Sequence, residues 1–351
     1  MTIDKGIFIR NIYYMLSYAF QELKNNNYEN IKKEDFERIL DLFAEILFKG
    51  VSMQLKQGLY KEYIEKHESL PTLKGHIDIN NTIRNKIQRK NILACDYDEL
   101  SENNRLNQII KSTILKLVRH RDVDKKRKAQ LFKILPFFSE INEINLGDIK
   151  WNMLRFQRNN QSYKMLMNIC YFINSEILMT TEQGNYRMLT FSDENMNKLY
   201  ERFVLEYYKQ EHEHKHKVIK VNADKIDWNI TQENSMIDFL PTMQSDITLR
   251  KGEKTLIIDT KYYSRMTQQH FDKAKIHSVN MYQIFAYVKN EDVNNTGNVS
   301  GVLLYAKTNE EIVPNLSTEI GGNKFYVQTL DLNQDFNAIK AQLDSICNNY
   351  L

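Results

Sequence analysis

Cysteine is almost missing from this chain: three in 351 residues, at Cys95, Cys170 and Cys347. They lie too far apart for a zinc site and are too few for a disulfide framework. Each reads as a small buried apolar residue, and a reducing cytoplasm is the expected compartment. Proline is scarce as well, with four in all, and no low-complexity linker or internal repeat is present. No apolar run approaches the ~20 residues that would span a bilayer. The opening Met1-Thr2-Ile3-Asp4-Lys5 lacks the basic-then-apolar pattern of a signal peptide. A GxxxxGK[ST] phosphate loop is also missing, so the chain is not expected to hydrolyse nucleotides itself. Net charge is only +3, too small to mark a nucleic-acid binder by itself.

What is present describes an ordinary globular protein, 42% hydrophobic and 26% charged, long enough for two domains. Charge is clustered between residues 111 and 130. Lys111, Lys116, Arg119, Arg121, Lys125, Lys126, Arg127 and Lys128 face only Asp122 and Asp124 there. That stretch reads either as a phosphate-tracking surface or as a solvated helix end and loop.

Helical spacing of apolar residues predicts helices over 8–24, 33–55, 123–137 and 161–179. Between Gly58 and Leu100 short strand patterns alternate with turn residues, a β-rich insertion with a short helix over 80–90. A further helix opens at Ser101, with Asn103 or Asn104 as rival caps. Residues 151–156 read as a strand. From residue 193 the order is helix (to about 210), strand, strand, strand, helix (268–289), strand, then a C-terminal helix over 335–347. The expected architecture is α+β or α/β. A mainly helical N-terminal domain (1–190, insertion at about 58–100) precedes a mixed sheet flanked by helices (191–351).

The most informative stretch is Gln244 to Lys261, two strands around a turn at Lys251-Gly252. The run Leu256-Ile257-Ile258 marks a strand buried on both faces, yet it ends in Asp259-Thr260-Lys261. Charges at the end of a buried strand need a reason. Side chains alternate with period two, so Asp259 and Lys261 share a face. With a loop of two or four residues Leu249 pairs with Lys254 and Asp246 with Ile257. Asp246 then joins that face as a diagonal neighbour at roughly 7–8 Å. A three-residue loop would separate them. Two carboxylates so placed, with the Thr260 carbonyl and waters, suit Mg²⁺ (or Mn²⁺), which would acidify a water and stabilise charge on a phosphate. Lys261 would orient that water or neutralise developing charge.

Three further features are weighed against bland readings. Glu201 falls on the apolar side of its helix, as a third metal ligand or water-positioning group, or as an ion pair at the core edge. Gln283 and Tyr287 share one helix face and either support the site or are ordinary polar edge residues. His212, His214 and His216 read as a solvated helix exit rather than a metal site.

Asp246 followed by Asp259-Thr260-Lys261 resembles the PD-(D/E)xK nuclease motif, with Ser245-Asp246 where Pro-Asp is usual. Gln283-Ile284-Phe285-Ala286-Tyr287 resembles the QxxxY extension of its RecB-like branch. Three more stretches are similar to McrC proteins: 11–20 (NIYYMLSYAF), 73–78 (LKGHID) and 100–107 (LSENNRLN). The resemblance covers nearly the whole chain. It implies the endonuclease subunit of a modified-cytosine-directed restriction system. The implied catalytic set is Asp246, Asp259 and Lys261, assisted by Glu201, Gln283 and Tyr287, with metal on Asp246, Asp259, Thr260 and Glu201. It also implies an McrB-like AAA+ GTPase partner that binds the GTP, and double-stranded DNA as substrate. The insertion at 58–100 is the candidate for the part that enters the partner ring. Two rivals stand beside this reading: a stand-alone repair or recombination nuclease, and a non-catalytic adaptor of an AAA+ ring.

Overall fold

The computed structural model describes residues 3–4, 7–24, 28, 31, 34, 36–157, 160, 162–182, 193–215, 219–230, 239–262, 267–270, 273–307 and 314–351. The chain forms two compact units that do not follow chain order. One is Leu40–Asn185; the other joins Met1–Ile39 to Tyr186–Leu351. Helix α1 (Ile9–Ala19) shows why the first 39 residues leave the domain that the sequence reading assigns them. Its Asn11 Nδ2 donates to the carbonyls of Leu332 and Gln334, both at 2.8 Å. Tyr14 stacks on Phe336 at 4.4 Å, and Arg202 Nε donates to the Ala19 carbonyl. An amphipathic stripe announces that a helix packs; it does not say against what.

The unit Leu40–Asn185 begins with α2 (Ile39–Gln57), which starts later than the 33–55 expected. The β-rich insertion follows: β1 (Glu62–Leu70), β2 (His76–Ile77), α3 (Ile79–Ile87) and β3 (Leu93–Ser101), in the antiparallel order β1-β3-β2. Gly75, within one of the McrC-like stretches, has φ +69°, and a Cβ there would stand 2.4 Å from the Asp96 carbonyl oxygen. Only glycine lets the chain turn back against β3 at that point. Ser101 is still in the ladder, opposite Glu62, so it cannot cap the next helix. Helix α4 (Arg105–Arg119) is capped instead by Asn104, whose side-chain oxygen accepts from Asn107 N at 3.2 Å. Then come α5 (Lys125–Ile134) and α6 (Tyr163–Glu182). Residues Trp151–Met153 form a 3₁₀ turn rather than the expected strand. A buried Arg127–Glu45 ion pair, with Asp124 N donating to Asp41, fastens α5 to α2.

The stretch 100–107 now has a structural account. Asn104 and Asn107 side chains both donate to the Tyr60 carbonyl, at 2.7 and 2.9 Å. Asn107, fully buried, also donates to Glu102 O and accepts from Tyr163 Oη, which in turn accepts from Tyr60 N. These bonds tie the foot of the β insertion to α4 and α6. Replacing Asn107 by alanine leaves several buried polar groups without partners and is expected to cost about 2–4 kcal/mol in urea unfolding. Stability within about 0.5 kcal/mol of wild type would contradict this account.

The other unit continues with α7 (Asp193–Tyr208) and a π-helical turn, Lys209–His214. After β4 (Lys220–Asn222) come β5 (Ile247–Lys251), β6 (Lys254–Lys261), α8 (Ser278–Glu291) and β7 (Val299–Ala306). The last elements are β8 (Leu316–Ile320), β9 (Asn323–Leu330) and α9 (Phe336–Tyr350). The strands form one mixed six-stranded sheet in the order β8-β9-β7-β6-β5-β4, parallel only within β9-β7-β6. Helix α8 starts ten residues after the expected 268. Residues Thr267–His270 pair antiparallel with Lys273–Ile276 instead, so sheet pairing overrides a stretch with fair helix propensity. The boundary loop at 183–185 and residues up to 192 lie outside the described residues. Among the described residues, no helix is long and apolar enough to cross a membrane.

Candidate active site

The hairpin β5–β6 has an even loop, as the same-face argument requires, but its register differs from the expected one. Lys251 pairs with Lys254, Leu249 with Leu256 and Ile247 with Ile258. The turn is therefore Gly252-Glu253, with φ +59° at Gly252, the position where a two-residue hairpin turn calls for glycine. Carried one pair beyond the ladder, this register sets Asp246 directly opposite Asp259 rather than opposite Ile257. Parity is unchanged by a shift of two, so the register by itself still favours one face for the two aspartates, although the ladder ends at Ile247 and the Asp246 carboxylate turns to Thr260.

Strand β6 lies between β5 and β7, and its residues 256–260 are all buried. Asp259 has no exposed surface. Lys261 Nζ stands 2.7 Å from Asp259 Oδ2 with only 13% of its side chain exposed. The contact is an ion pair, and among the described residues no other donor reaches either Asp259 oxygen. Burial first, and the Asp246 carboxylate second, push the Asp259 carboxyl up to about 7, with Lys261 opposing.

Asp246 sits at a bend just before β5. Its Oδ2 accepts from Thr260 N at 2.7 Å and from Thr260 Oγ1 at 2.8 Å. In an extended strand, a residue's N–H and C=O project to the same side. The Thr260 carbonyl therefore faces the edge where the β5 ladder has ended and Asp246 stands. Glu201 reaches the same site from α7. Its carboxyl is raised to about 7, by burial first, then by Asp246, with Lys261 opposing. One turn earlier on that helix, Asn197 Oδ1 accepts from Tyr262 N at 3.0 Å, next to Lys261. That bond seats the helix against the end of β6, and Glu201, four residues on, shares its face.

Gln283 and Tyr287 do meet: Gln283 Nε2 donates to Tyr287 Oη at 2.8 Å. Tyr287 packs in the core cluster with Ile257, Leu303 and Tyr305, on the face of β6 that carries Asp259 and Lys261. No direct bond from Gln283 to the acidic residues is seen among the described residues. Three neighbours escape a sequence reading: Asn197, Tyr305 and Asn280. Tyr305 is the register partner of Lys261 on β7, and its hydroxyl accepts from buried Asn280 Nδ2 at 2.9 Å. Only the parallel pairing of β6 with β7, across a helix, brings them to the site. His212 is engaged away from the site. His212 Nε2 lies 2.8 Å from Asp344 Oδ1 and packs against Tyr207 and Tyr208, while His216 lies outside the described residues.

The site fits a hydrated divalent cation better than an enclosed one. Among the described residues no group of three or more His, Cys, Asp or Glu side chains gathers closely enough to hold an ion. What does converge is a fully buried carboxylate whose one partner among the described residues is Lys261, the Asp246 carboxylate near it and the backbone of Thr260 at the same edge. Mg²⁺ retains several waters and is commonly held by one or two carboxylates.

Comparison with known proteins matches the same picture. Residues 7–345 match the family described as McrBC 5-methylcytosine restriction system component. The chain is 29% identical over 351 residues to the type IV methyl-directed restriction enzyme EcoKMcrBC of Escherichia coli (strain K12), covering 98% of both chains. Its fold is similar to a chain in the half-complex from a tetradecameric assembly of Thermococcus gammatolerans McrB AAA+ hexamers with bound McrC. There the TM-score is 0.56 at 17% identity, over 97% of this chain and 76% of that one. Against the cryo-EM structure of the Thermococcus gammatolerans McrBC complex the TM-score is 0.43 at 20% identity, over 57% and 58% of the two chains.

Proposed function

The chain belongs to the family of McrBC 5-methylcytosine restriction system components, and from that membership we propose that it is the system's metal-dependent DNA endonuclease subunit. The observation that carries this reading is Asp259, wholly buried at the end of a central strand, with Lys261 as the one partner of its carboxylate among the described residues. A protein tolerates such a group where it has a use for it.

In this reading Asp259, Asp246 and the Thr260 carbonyl hold a divalent cation such as Mg²⁺, with Glu201 assisting. When bound, that ion would supply charge stabilisation on the scissile phosphate and a more acidic water. The chain's own residues do the rest. Lys261, held beside Asp259 by the ion pair, orients the attacking water or offsets charge gathering on the phosphate. Glu201, whose carboxyl burial and Asp246 push up when no cation is present, is placed to help hold the ion or to position the water. Gln283 and Tyr287 brace the helix side of the site through their mutual bond.

The unit Leu40–Asn185 is proposed to dock on an McrB-like AAA+ GTPase and to stimulate it through the β insertion. Supporting this, Ile79, Ile83 and Ile87 recur every four residues along α3 and are 64%, 51% and 76% exposed. Such a stripe is what a protein partner covers. The decisive experiment is cleavage of methylated and unmethylated plasmid with Mg²⁺, with and without partner and GTP. Cleavage by wild type only of methylated DNA, and only with partner and GTP, is the expected result. Cleavage without the partner would favour a stand-alone nuclease, and wild type that never cuts would sink the enzymatic reading.

A further inference from the structure

The basic stretch 111–130 plays no part in the proposed chemistry, yet one segment of it lines a cavity of about 430 Å³. The walls are Ser112, Lys116, Arg119 and His120 from the end of α4 and the turn after it, faced by residues 143–147. The two sides are fastened by Ile144 N donating to Ser112 Oγ at 2.8 Å and by Arg119 gripping Glu143 with two bonds, 2.7 and 3.3 Å. The cavity is an open groove whose two sides are fastened to each other by these bonds.

Lys116 is the informative residue. It is partly buried, and among the described residues its ammonium has one polar neighbour, Asn174 Oδ1, at 3.5 Å, the outer limit of a hydrogen bond, and no carboxylate partner. Glu143, the acid of the cavity, is already committed to Arg119. Burial pulls the Lys116 pKa down, as expected for a cation short of counter-charge. Lys116 and Arg119 against Glu143 leave one net positive charge, and His120 is held toward its neutral form, chiefly by burial. Ile144 and Leu146 add apolar side chains to the same lining. One unbalanced cation, hydroxyl and imidazole groups and an apolar wall, in a cavity of ligand-site size, match a phosphate joined to an organic group better than a bare anion.

We propose that this cavity binds one nucleotide unit, with its phosphate on Lys116 and its sugar or base against Ile144 and Leu146. The unit comes either from a free deoxynucleoside monophosphate or from a single DNA strand. This site is independent of the carboxylate site at Asp259 and stands whether or not that site cuts DNA.

The test measures binding to the full chain in EDTA by calorimetry, so that nothing is cleaved. The probes are inorganic phosphate, deoxynucleoside monophosphates and a short single-stranded oligonucleotide. Lys116→Gln is expected to weaken nucleotide binding about tenfold, the effect of one lost charge-assisted contact, and Lys116→Arg to retain most of it. Monophosphate binding that depends on Lys116 identifies the free nucleotide as source; dependence seen only with the oligonucleotide identifies the strand. Lys116→Gln with an unchanged melting temperature serves as the folded control. Equal binding by wild type and Lys116→Gln overturns the proposal, and so does a failure of every probe to bind at millimolar concentration. Phosphate binding as tightly as the nucleotides removes the role of the apolar wall and overturns the assignment to a nucleotide. If Lys116→Gln unfolds, a 5-bromouracil oligonucleotide that crosslinks wild type outside residues 112–147 overturns it as well.

Discussion

Lys261→Ala is expected to lower partner-dependent DNA cleavage by about 10²–10³-fold or more while leaving DNA binding close to wild type. The reason is the position of the ammonium. It extends from the last residue of a buried strand, 13% exposed, 2.7 Å from Asp259 Oδ2. Its backbone neighbour on β7 is Tyr305, itself fixed by Asn280. A side chain so restrained offers positive charge at one place without reorganisation when the phosphate gains negative charge. Arginine retains the charge but has a wider, planar head, so Lys261→Arg should recover little. Stimulation of a partner's GTPase by the other unit should persist in Lys261→Ala, which separates loss of chemistry from loss of assembly. Cleavage within threefold of wild type would show that Lys261 is only the counter-ion of Asp259.

Much of this site was legible in the sequence because strands obey a strict alternation. An apolar run ending in Asp-x-Lys, preceded by an aspartate at odd spacing, places three charges on one face for any even loop. The loop itself was misread. Lys251-Gly252 looks like the turn, but the observed turn is Gly252-Glu253, and the register moves by two. Because the error was even, the register still favours one face for the two aspartates, while Asp246, at a bend before the ladder, binds the Thr260 amide and hydroxyl. Longer-range features were not legible. Asn280 and Tyr305 belong to a helix and a strand outside the hairpin, and nothing in their local pattern points to Lys261. The packing of residues 1–39 with the C-terminal unit depends on Asn11 reaching the carbonyls of Leu332 and Gln334, a pairing no periodicity encodes. The three stretches that resemble McrC carry structural rather than chemical content where the geometry is clear. Gly75 makes a turn that other residues cannot, and Asn104 and Asn107 anchor the β insertion.

Asp259→Asn should make the metal-free protein more stable at pH 8, the reverse of what losing a buried ion-pair partner usually does. Asp259 ionises near 7 in the folded chain, against about 3.9 when unfolded. Between those values the folded state keeps a proton that the unfolded state has released. Stability due to this group is therefore highest below about pH 4, falls as pH rises from about 4 to 7, and levels off above. Glu201, also raised to about 7, acts in the same direction. In EDTA, wild type should melt lower at pH 8 than at pH 5, and the asparagine variant should show much of that difference removed. At pH 8 the variant should exceed wild type by up to about 4 kcal/mol, the size of a shift of about three pH units, which already includes the opposing pull of Lys261. Adding Mg²⁺ at pH 8 should raise the melting temperature of wild type and leave that of the variant nearly unchanged, because the strained carboxylate is the group the cation relieves. A variant less stable than wild type in EDTA at pH 8 would mean that the Lys261 ion pair outweighs the desolvation of Asp259. The site would then be a structural salt bridge, and the case for a cation at Asp259 would lose its physical basis.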